Sequence, residues 1–123
     1  MIDHVTIKVS DLQKSRTFYQ KTFKPLDYDW SFGEEGVFDA FELSSGSLFE
    51  IAQYRGEGNI TSSHIAFRVS SRELVDAFYA AAIGAGAKNN GKPGTRPNYS
   101  EKYYACFILD PDGHNIEAMY DED

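Results

Sequence analysis

The stretch IDHVTIKVS at residues 2–10 returns in outline as SSHIAFRVS at residues 62–70. In both stretches a histidine lies five residues before a Val-Ser pair, and a Phe-Tyr pair starts eight residues after that serine. Each half of the chain also ends on a strand-like run that contains a glutamate, SLFEIAQY at 47–54 and HNIEAMY at 114–120. The chain is therefore an internal duplication, and each copy carries one histidine and one glutamate at matching places.

The opening run of each copy alternates between apolar and polar residues. In the first copy Val5, Ile7 and Val9 share one face and His4 lies on the other, which is the period-2 pattern of a half-buried strand. The second copy repeats the pattern, and its His64 is again on the polar face. We therefore expect both histidines on the sheet face that points away from the covering helices.

A helix is predicted after each opening strand. Capping-box spacing starts the first helix at Ser10 and the second at Ser70, and the helices are expected to end at Pro25 and Gly84. The remaining strands are predicted at residues 27–32, 36–43, 47–54, 86–90, 103–110 and 114–121. Each half of the chain thus has the predicted element order βαβββ.

This order predicts an α+β fold of two tandem βαβββ modules that form a curled mixed sheet around a cleft. The length of 123 residues suits a single domain, 1–123, with the first module at about 1–58 and the second at about 59–123. The segment GKPGTRPNYSEKY at 91–103 is predicted to lack regular structure through most of its length, because it is rich in glycine and proline.

Composition and charge narrow the class of partner. With 12 basic and 19 acidic residues, the formal net charge is −7, which disfavours nucleic acid and anionic membrane surfaces and leaves a small molecule as the expected ligand. No apolar run is long enough to span a membrane and no signal-peptide pattern is present, so a cytoplasmic protein is expected. Cys106 has no partner for a disulfide within the chain and is predicted to be an apolar strand residue.

The duplicated residues are candidates for one metal site. His4, Glu50, His64 and Glu117 combine neutral imidazole with carboxylate, a ligand set that suits divalent cations of borderline hardness. Any one of them alone is more simply a hydrogen-bonded or solvated side chain, but the same two ligand types recur at matching positions in both copies. A duplication that has lost its metal is the alternative. His114 lies next to a turn, is expected at the surface and is not a ligand candidate.

Three segments carry a resemblance to a known family: DHVTIKVSDLQKSRTFYQKTF at 3–23, SHIAFRVSSRELVDAFY at 63–79 and LDPDGHNIEAMY at 109–120. Together they resemble the vicinal oxygen chelate superfamily, which contains glyoxalase I, fosfomycin-resistance proteins, methylmalonyl-CoA epimerase, extradiol dioxygenases and bleomycin-resistance proteins. The resemblance covers essentially the whole chain. It implies paired βαβββ modules whose sheets curl around a metal, and it implies a homodimer.

Within that superfamily the His-Glu-His-Glu set is similar to bacterial glyoxalase I. The resemblance implies that His4, Glu50, His64 and Glu117 hold Ni²⁺, Co²⁺ or Zn²⁺, with Glu117 as the favoured catalytic base and Glu50 available on the opposite face. A lyase or isomerase with enediolate chemistry on a small oxygenated substrate is then the expected function. The alternatives are a non-catalytic binding protein of the antibiotic-resistance kind, an epimerase and a thiol transferase, and a His-His-Glu site without Glu50 would fit several of these.

Two groups of residues outside the ligand set are candidates for contact with a substrate. Arg96, Tyr99 and Tyr103 combine hydrogen-bond donors with aromatic faces in the 91–103 segment. Four aromatic residues in the first-module strands are expected to pack in the core, with a place in the wall of the cleft as the alternative. They are Trp30, Phe32, Phe38 and Phe41.

Overall fold

Each half of the duplicated sequence forms a βαβββ module, as predicted, in a computed structural model that describes residues 1–122. The first module contains β1 (His4–Val9), α1 (Leu12–Phe23), a short 3-10 turn (Lys24–Leu26), β2 (Trp30–Glu34), β3 (Phe38–Glu42) and β4 (Leu48–Gln53). The second contains β5 (His64–Arg68), α2 (Arg72–Gly84), β6 (Lys88–Thr95), β7 (Tyr104–Leu109) and β8 (Asn115–Tyr120). Among the described residues, neither helix is long and apolar enough to cross a membrane.

The two modules form separate four-stranded mixed sheets with the same strand order. The orders are β1-β4-β3-β2 and β5-β8-β7-β6. The first strand of each module pairs in parallel with the last one, whereas the other neighbours are antiparallel. Thr6 lies opposite Glu50 in one sheet, and Ala66 lies opposite Glu117 in the other. Because residues opposite each other share a sheet face, each histidine lies on the same face as the glutamate of its own module.

The opposite sheet faces and both helices build one core that the two modules share. Phe67 of β5 packs against Phe23 of α1 and Phe49 of β4, with ring centroids 5.3 and 5.5 Å apart. Tyr19 and Phe41 complete this aromatic cluster, and all five side chains are buried. Burial of each such ring contributes about 1.5–3 kcal/mol to folding, so the cluster holds the modules together.

The turn before β8 fastens the second module to the first. The hydroxyl of Tyr19 donates to Asp110 Oδ2 at 2.6 Å, and His114 Nε2 donates to the carbonyl of Lys8 at 2.7 Å. His114 Nδ1 accepts from the backbone N–H of Ser63 at 2.9 Å. The surface position predicted for His114 is therefore wrong, since only 1% of the residue is exposed. The imidazole is buried because it satisfies backbone groups at the edge of β1 and just before β5.

Both helices begin one residue later than the capping-box pattern predicts. The carboxylate of Asp11 accepts from Lys14 N at 3.1 Å and caps α1, and the hydroxyl of Ser71 accepts from Leu74 N at 3.2 Å and caps α2. Both cap residues have the extended backbone that this role requires. The neighbouring Ser10 instead donates its N–H to Asp112.

Strand β6 extends beyond its predicted end at residue 90 and continues to Thr95. The pairing with β7 shifts register at Gly91 and again before Gly94, and Pro93 lies between the paired residues. Bulges of this kind let a proline stand in a strand. Gly91 has φ +154°, and a Cβ there would lie 2.8 Å from the ring of Phe107, so the position needs glycine.

Some of the residues that were expected in the core are buried, and others are exposed. Phe41 and Cys106 are fully buried, which confirms the prediction for both. Trp30 is 40% exposed and Phe32 is 45% exposed, so the core prediction is wrong for these two residues. Phe38 is half-buried. The reason is that β2 is the edge strand of its sheet, and all five of its residues are exposed.

The buried imidazole of His114 gives a test of how the modules are joined. We expect His114→Ala to lower the free energy of unfolding by about 1–3 kcal/mol, because it leaves the Ser63 N–H and the Lys8 carbonyl without partners. Urea denaturation followed by circular dichroism measures the change. His4→Ala, at an exposed histidine, is the control and should change stability by less than about 0.5 kcal/mol. Equal effects of the two substitutions would contradict the account.

Candidate metal centre

The second module brings two of the four candidate ligands together. His64 Nε2 lies 3.0 Å from Glu117 Oε1. His64 Nδ1 donates to the backbone carbonyl of Asn115 at 3.0 Å, so the ring is fixed with Nε2 towards the glutamate. The other carboxylate oxygen of Glu117 accepts a 2.5 Å hydrogen bond from the hydroxyl of Tyr103. Glu117 is only 3% exposed, and each of its carboxylate oxygens contacts a polar side chain, one that of His64 and the other that of Tyr103.

This pair fits a divalent cation. Nitrogen and oxygen ligands lie about 2.1 Å from zinc, so two such ligands at a right angle about one ion are about 3.0 Å apart. The separation of His64 Nε2 and Glu117 Oε1 equals that value. The distance between the two atoms would therefore allow both of them to hold one cation.

The first module holds the other two candidates on an open surface. His4 Nδ1 is hydrogen-bonded to the carboxylate of Asp3 at 2.8 Å, and Glu50 Oε1 accepts from the hydroxyl of Thr6 at 3.1 Å. His4 is exposed and Glu50 is partly buried. The pKa of His4 is raised, first by the hydrogen bond to Asp3 and then by the negative charge of Glu50.

Both histidines are oriented in the same way. Each ring uses Nδ1 for a hydrogen bond within its own module, to Asp3 in one case and to the Asn115 carbonyl in the other. Nε2 is then the nitrogen available to a cation, which is the usual arrangement of metal-binding histidines. The roles of Asp3 and Asn115 were missed by the sequence analysis, although the Asp3-His4 dipeptide was a visible signal for the first.

The two pairs do not meet within one chain. In the part of the chain that the structure describes, no three His, Cys, Asp or Glu side chains are close enough to hold a metal ion together. The strands β1 and β5 that carry the histidines lie at the edges of two different sheets. One chain thus presents two half-sites, each with one histidine and one glutamate.

The residues predicted to contact a substrate lie around the second half-site. The ring of Phe107 stacks on His64 at 6.1 Å, and the guanidinium of Arg96 lies over Phe107 at 5.4 Å. Within residues 1–122 no carboxylate forms an ion pair with Arg96, which donates instead to the carbonyl of Lys92 at 2.7 Å. Phe107 was not a candidate in the sequence analysis, because an aromatic residue in an apolar strand gives no signal of a site.

The two tyrosines have different positions. Tyr99 is 59% exposed and meets Tyr103 edge to face, with ring centroids 5.1 Å apart. Tyr103 directs its hydroxyl to Glu117, and its pKa is raised well above the ordinary value, first by burial and then by that hydrogen bond. Tyr103 therefore supports a candidate ligand, whereas Tyr99 is free to face solvent.

Two four-stranded sheets of this topology, each with a histidine on its first strand and a glutamate on its last, define a protein built from paired βαβββ modules. Residues 1–118 match the family described as Glyoxalase/Bleomycin resistance protein/Dioxygenase superfamily. The chain belongs to this superfamily, and the resemblance drawn from the sequence is confirmed.

Individual relatives agree with this assignment. The chain is 30% identical over 120 residues to metallothiol transferase FosB of Shouchella clausii (strain KSM-K16), a match that covers 95% of this chain and 77% of the relative. A glyoxalase/bleomycin resistance protein from Albidiferax ferrireducens T118 superposes with a TM-score of 0.85 at 29% identity, covering 98% of both chains. A lactoylglutathione lyase from Agrobacterium tumefaciens has a TM-score of 0.75 at 17% identity, covering 98% of this chain and 92% of that one, and it shows the fold alone.

The hydrogen bond from Tyr103 to Glu117 should matter for metal affinity. Partners that hold a metal ligand in place are typically worth 10–100-fold in affinity, so we expect Tyr103→Phe to weaken Zn²⁺ binding by about tenfold or more. Competition with a chromophoric chelator measures the dissociation constant. Tyr99→Phe removes a hydroxyl from the neighbouring ring and should leave the affinity unchanged. An unchanged affinity in Tyr103→Phe would contradict the role given to this tyrosine.

The hydrogen bond between Asp3 and His4 predicts a pH effect in the metal-free protein. Because Asp3 raises the pKa of His4, the ring keeps its proton to a higher pH than an isolated histidine, and Asp3→Asn should lower that pKa. An NMR titration of the His4 ring protons measures it. Glu35→Gln removes the same charge from the turn between β2 and β3 and is the control. A His4 pKa that does not fall in Asp3→Asn would show that the bond is absent in solution.

Proposed function

We propose that two copies of the chain form a homodimer and that each metal site combines His4 and Glu50 of one copy with His64 and Glu117 of the other. The observation that carries this proposal is the matched pair of half-sites, each on the helix-free face of its sheet and each next to an edge strand. Neither pair alone supplies more than two of the four ligands. A second copy that sets β1 beside β5 supplies the missing pair.

The donor set suits Ni²⁺, Co²⁺ or Zn²⁺, since it joins imidazole nitrogen to carboxylate oxygen. When bound, such a cation supplies Lewis-acid stabilisation of two neighbouring substrate oxygens. We infer a glyoxalase-like lyase or isomerase that acts on a small oxygenated substrate. A ligand set that includes Glu50, in addition to His4, His64 and Glu117, would favour this chemistry over the thiol transferases.

Proton transfer in this reaction falls to the two glutamates. Glu117 is the favoured base, because its carboxylate is buried and held by Tyr103 in one orientation. Glu50 stands on the opposite side of the assembled cleft, where it would face the other side of a bound substrate. If Glu117 removes a proton from one carbon, it becomes the carboxylic acid that can deliver that proton to the adjacent carbon, and Glu50 could do the same on the opposite face of the substrate.

Arg96 and Tyr99 are placed to bind the substrate outside the metal ligands. The guanidinium of Arg96 has no carboxylate partner among the described residues and is held in place over Phe107 by backbone carbonyls. A cation fixed in this way suits an anionic group on the substrate. Tyr99 is exposed beside it and offers a further hydroxyl and an aromatic face.

Metal-dependent thiol transfer is a second candidate. It is favoured by the 30% identity to metallothiol transferase FosB over 95% of this chain. The two reactions differ in the use of a thiol. A transferase joins the thiol sulfur to a carbon of an electrophilic second substrate, whereas the isomerase moves a carbon-bound proton and leaves the sulfur of the hemithioacetal in a thioester.

Metal analysis and one assay on the same preparations test the proposal. We expect about one Zn²⁺ or Ni²⁺ per chain, lost in His64→Ala and reduced in Glu50→Gln, and loss of the hemithioacetal of methylglyoxal on addition of the metal. Proton exchange at the substrate carbon, followed by NMR in D₂O, should accompany the loss. Bound metal with no proton exchange at the substrate carbon, but with addition of a thiol to an electrophilic substrate, would select the thiol transferase. Absence of metal under all loading conditions would contradict the site and leave a non-catalytic binding protein.

A further inference from the structure

The cleft face of the first sheet carries an aromatic pair next to Glu50. In the register of the sheet, Glu50 lies opposite Ala40, and Ala40 lies opposite Phe32 on the edge strand β2. Phe38 lies opposite Ala52 on the same face. The rings of Phe32 and Phe38 meet edge to face, with centroids 5.7 Å apart and an interplanar angle of 83°.

These two rings contribute little to the shared core. Neither belongs to the buried cluster, Phe32 is 45% exposed and Phe38 is half-buried. Ala40 between them and Glu50 is completely buried, so the apolar surface offered to the cleft is that of the two rings. Exposed aromatic surface that folding does not use is typical of a ligand-binding wall.

In the second module the aromatic residue lies next to the glutamate and the small residue lies on the edge strand, the opposite of the first module. Its glutamate, Glu117, lies opposite Phe107, and the next position across the sheet is Gly91. The ring of Phe107 is already in contact with other groups, since His64 stacks on it and the guanidinium of Arg96 lies over it. In the first sheet, the corresponding aromatic surface next to the glutamate is that of Phe32 and Phe38. Within residues 1–122, neither ring has a histidine stacked on it or a guanidinium over it.

We infer that Phe32 and Phe38 determine specificity by binding an aromatic substituent of the substrate. This inference rests on the proposed metal site and names the class of substrate: a compound with two neighbouring oxygens for the metal and an aryl group on the adjoining carbon. The aryl ring packs against the Phe32–Phe38 wall beside Glu50. The anionic part of the molecule then extends towards Arg96, across the cleft. Offset and edge-to-face contacts between aromatic rings favour this arrangement over the binding of a small alkyl group.

Two hydroxamates separate this inference from the proposed function. Acetohydroxamate and benzohydroxamate present the same pair of oxygens to a metal and differ in a methyl and a phenyl group. Isothermal titration of the Zn²⁺-loaded protein gives both dissociation constants, and their ratio is the readout. We expect benzohydroxamate to bind about tenfold or more tightly, which corresponds to about 1.4 kcal/mol. Phe32→Ala and Phe38→Ala should each reduce this preference by several-fold, whereas Val37→Ala, at an exposed apolar residue of the connecting turn, should keep it.

Each other outcome contradicts a stated part of the account. Equal affinities of the two hydroxamates, or a preference that survives in both phenylalanine variants, would overturn the aromatic wall while acetohydroxamate binding still supports the metal site. Failure of both hydroxamates to bind the metal-loaded protein would overturn the proposed site and this inference with it. A shift from dimer to monomer in Phe32→Ala or Phe38→Ala, seen by light scattering, would assign the pair to the contact between chains instead.

Discussion

The parallel pairing of the first and last strand of each module is the constraint on which the candidate site depends. Thr6 opposite Glu50 and Ala66 opposite Glu117 set the register, and in both sheets this register puts a histidine and a glutamate on one face. Side chains alternate along a strand, so a shift of one residue would turn one member of each pair into the apolar core. The core on the opposite face, with Phe23, Phe49 and Phe67 at its centre, therefore fixes the half-sites without contacting them.

The two half-sites differ in how far they are organised before a metal or substrate binds. Glu117 is almost completely buried, and a buried carboxylate is costly unless hydrogen bonds compensate for the lost water. Tyr103 donates such a hydrogen bond, and His64 Nε2 lies 3.0 Å from the other carboxylate oxygen, so the second half-site is held in one arrangement. His4 and Glu50 lie in a more open position and have weaker support from Asp3 and Thr6. An arrangement with one rigid and one open half suits a site that is completed by assembly.

Much of the fold could be predicted from the sequence because it depends on local patterns. The alternation of apolar and polar residues in 2–9 predicted the first strand. The recurrence of His4 and Glu50 as His64 and Glu117 indicated two modules and a candidate set of ligands. These signals lie within a few residues of each other or are copied along the chain. The roles of the four side chains as ligands remain a prediction.

Other features could not be predicted because they arise from contacts between distant segments. His114 is buried since its ring bridges Lys8 and Ser63, which are far from it in sequence or in another module. Strand β6 continues through Gly91 because Phe107 of the next strand fills the space where a side chain would lie. Phe107 lies beside the candidate ligands because the register of β7 with β8 sets it opposite Glu117.

Complementation between two defective chains tests most directly whether the metal site is shared. His4→Ala and His64→Ala each remove one ligand, from different modules, and the two variants are to be co-expressed, purified together and analysed for bound Zn²⁺. If each site takes one half from each chain, a mixed dimer contains one intact site, and random mixing restores about a quarter of the metal content of the unaltered protein. If both halves of a site come from the same chain, every chain in the mixture lacks a ligand, and the metal content stays at the level of the separate variants.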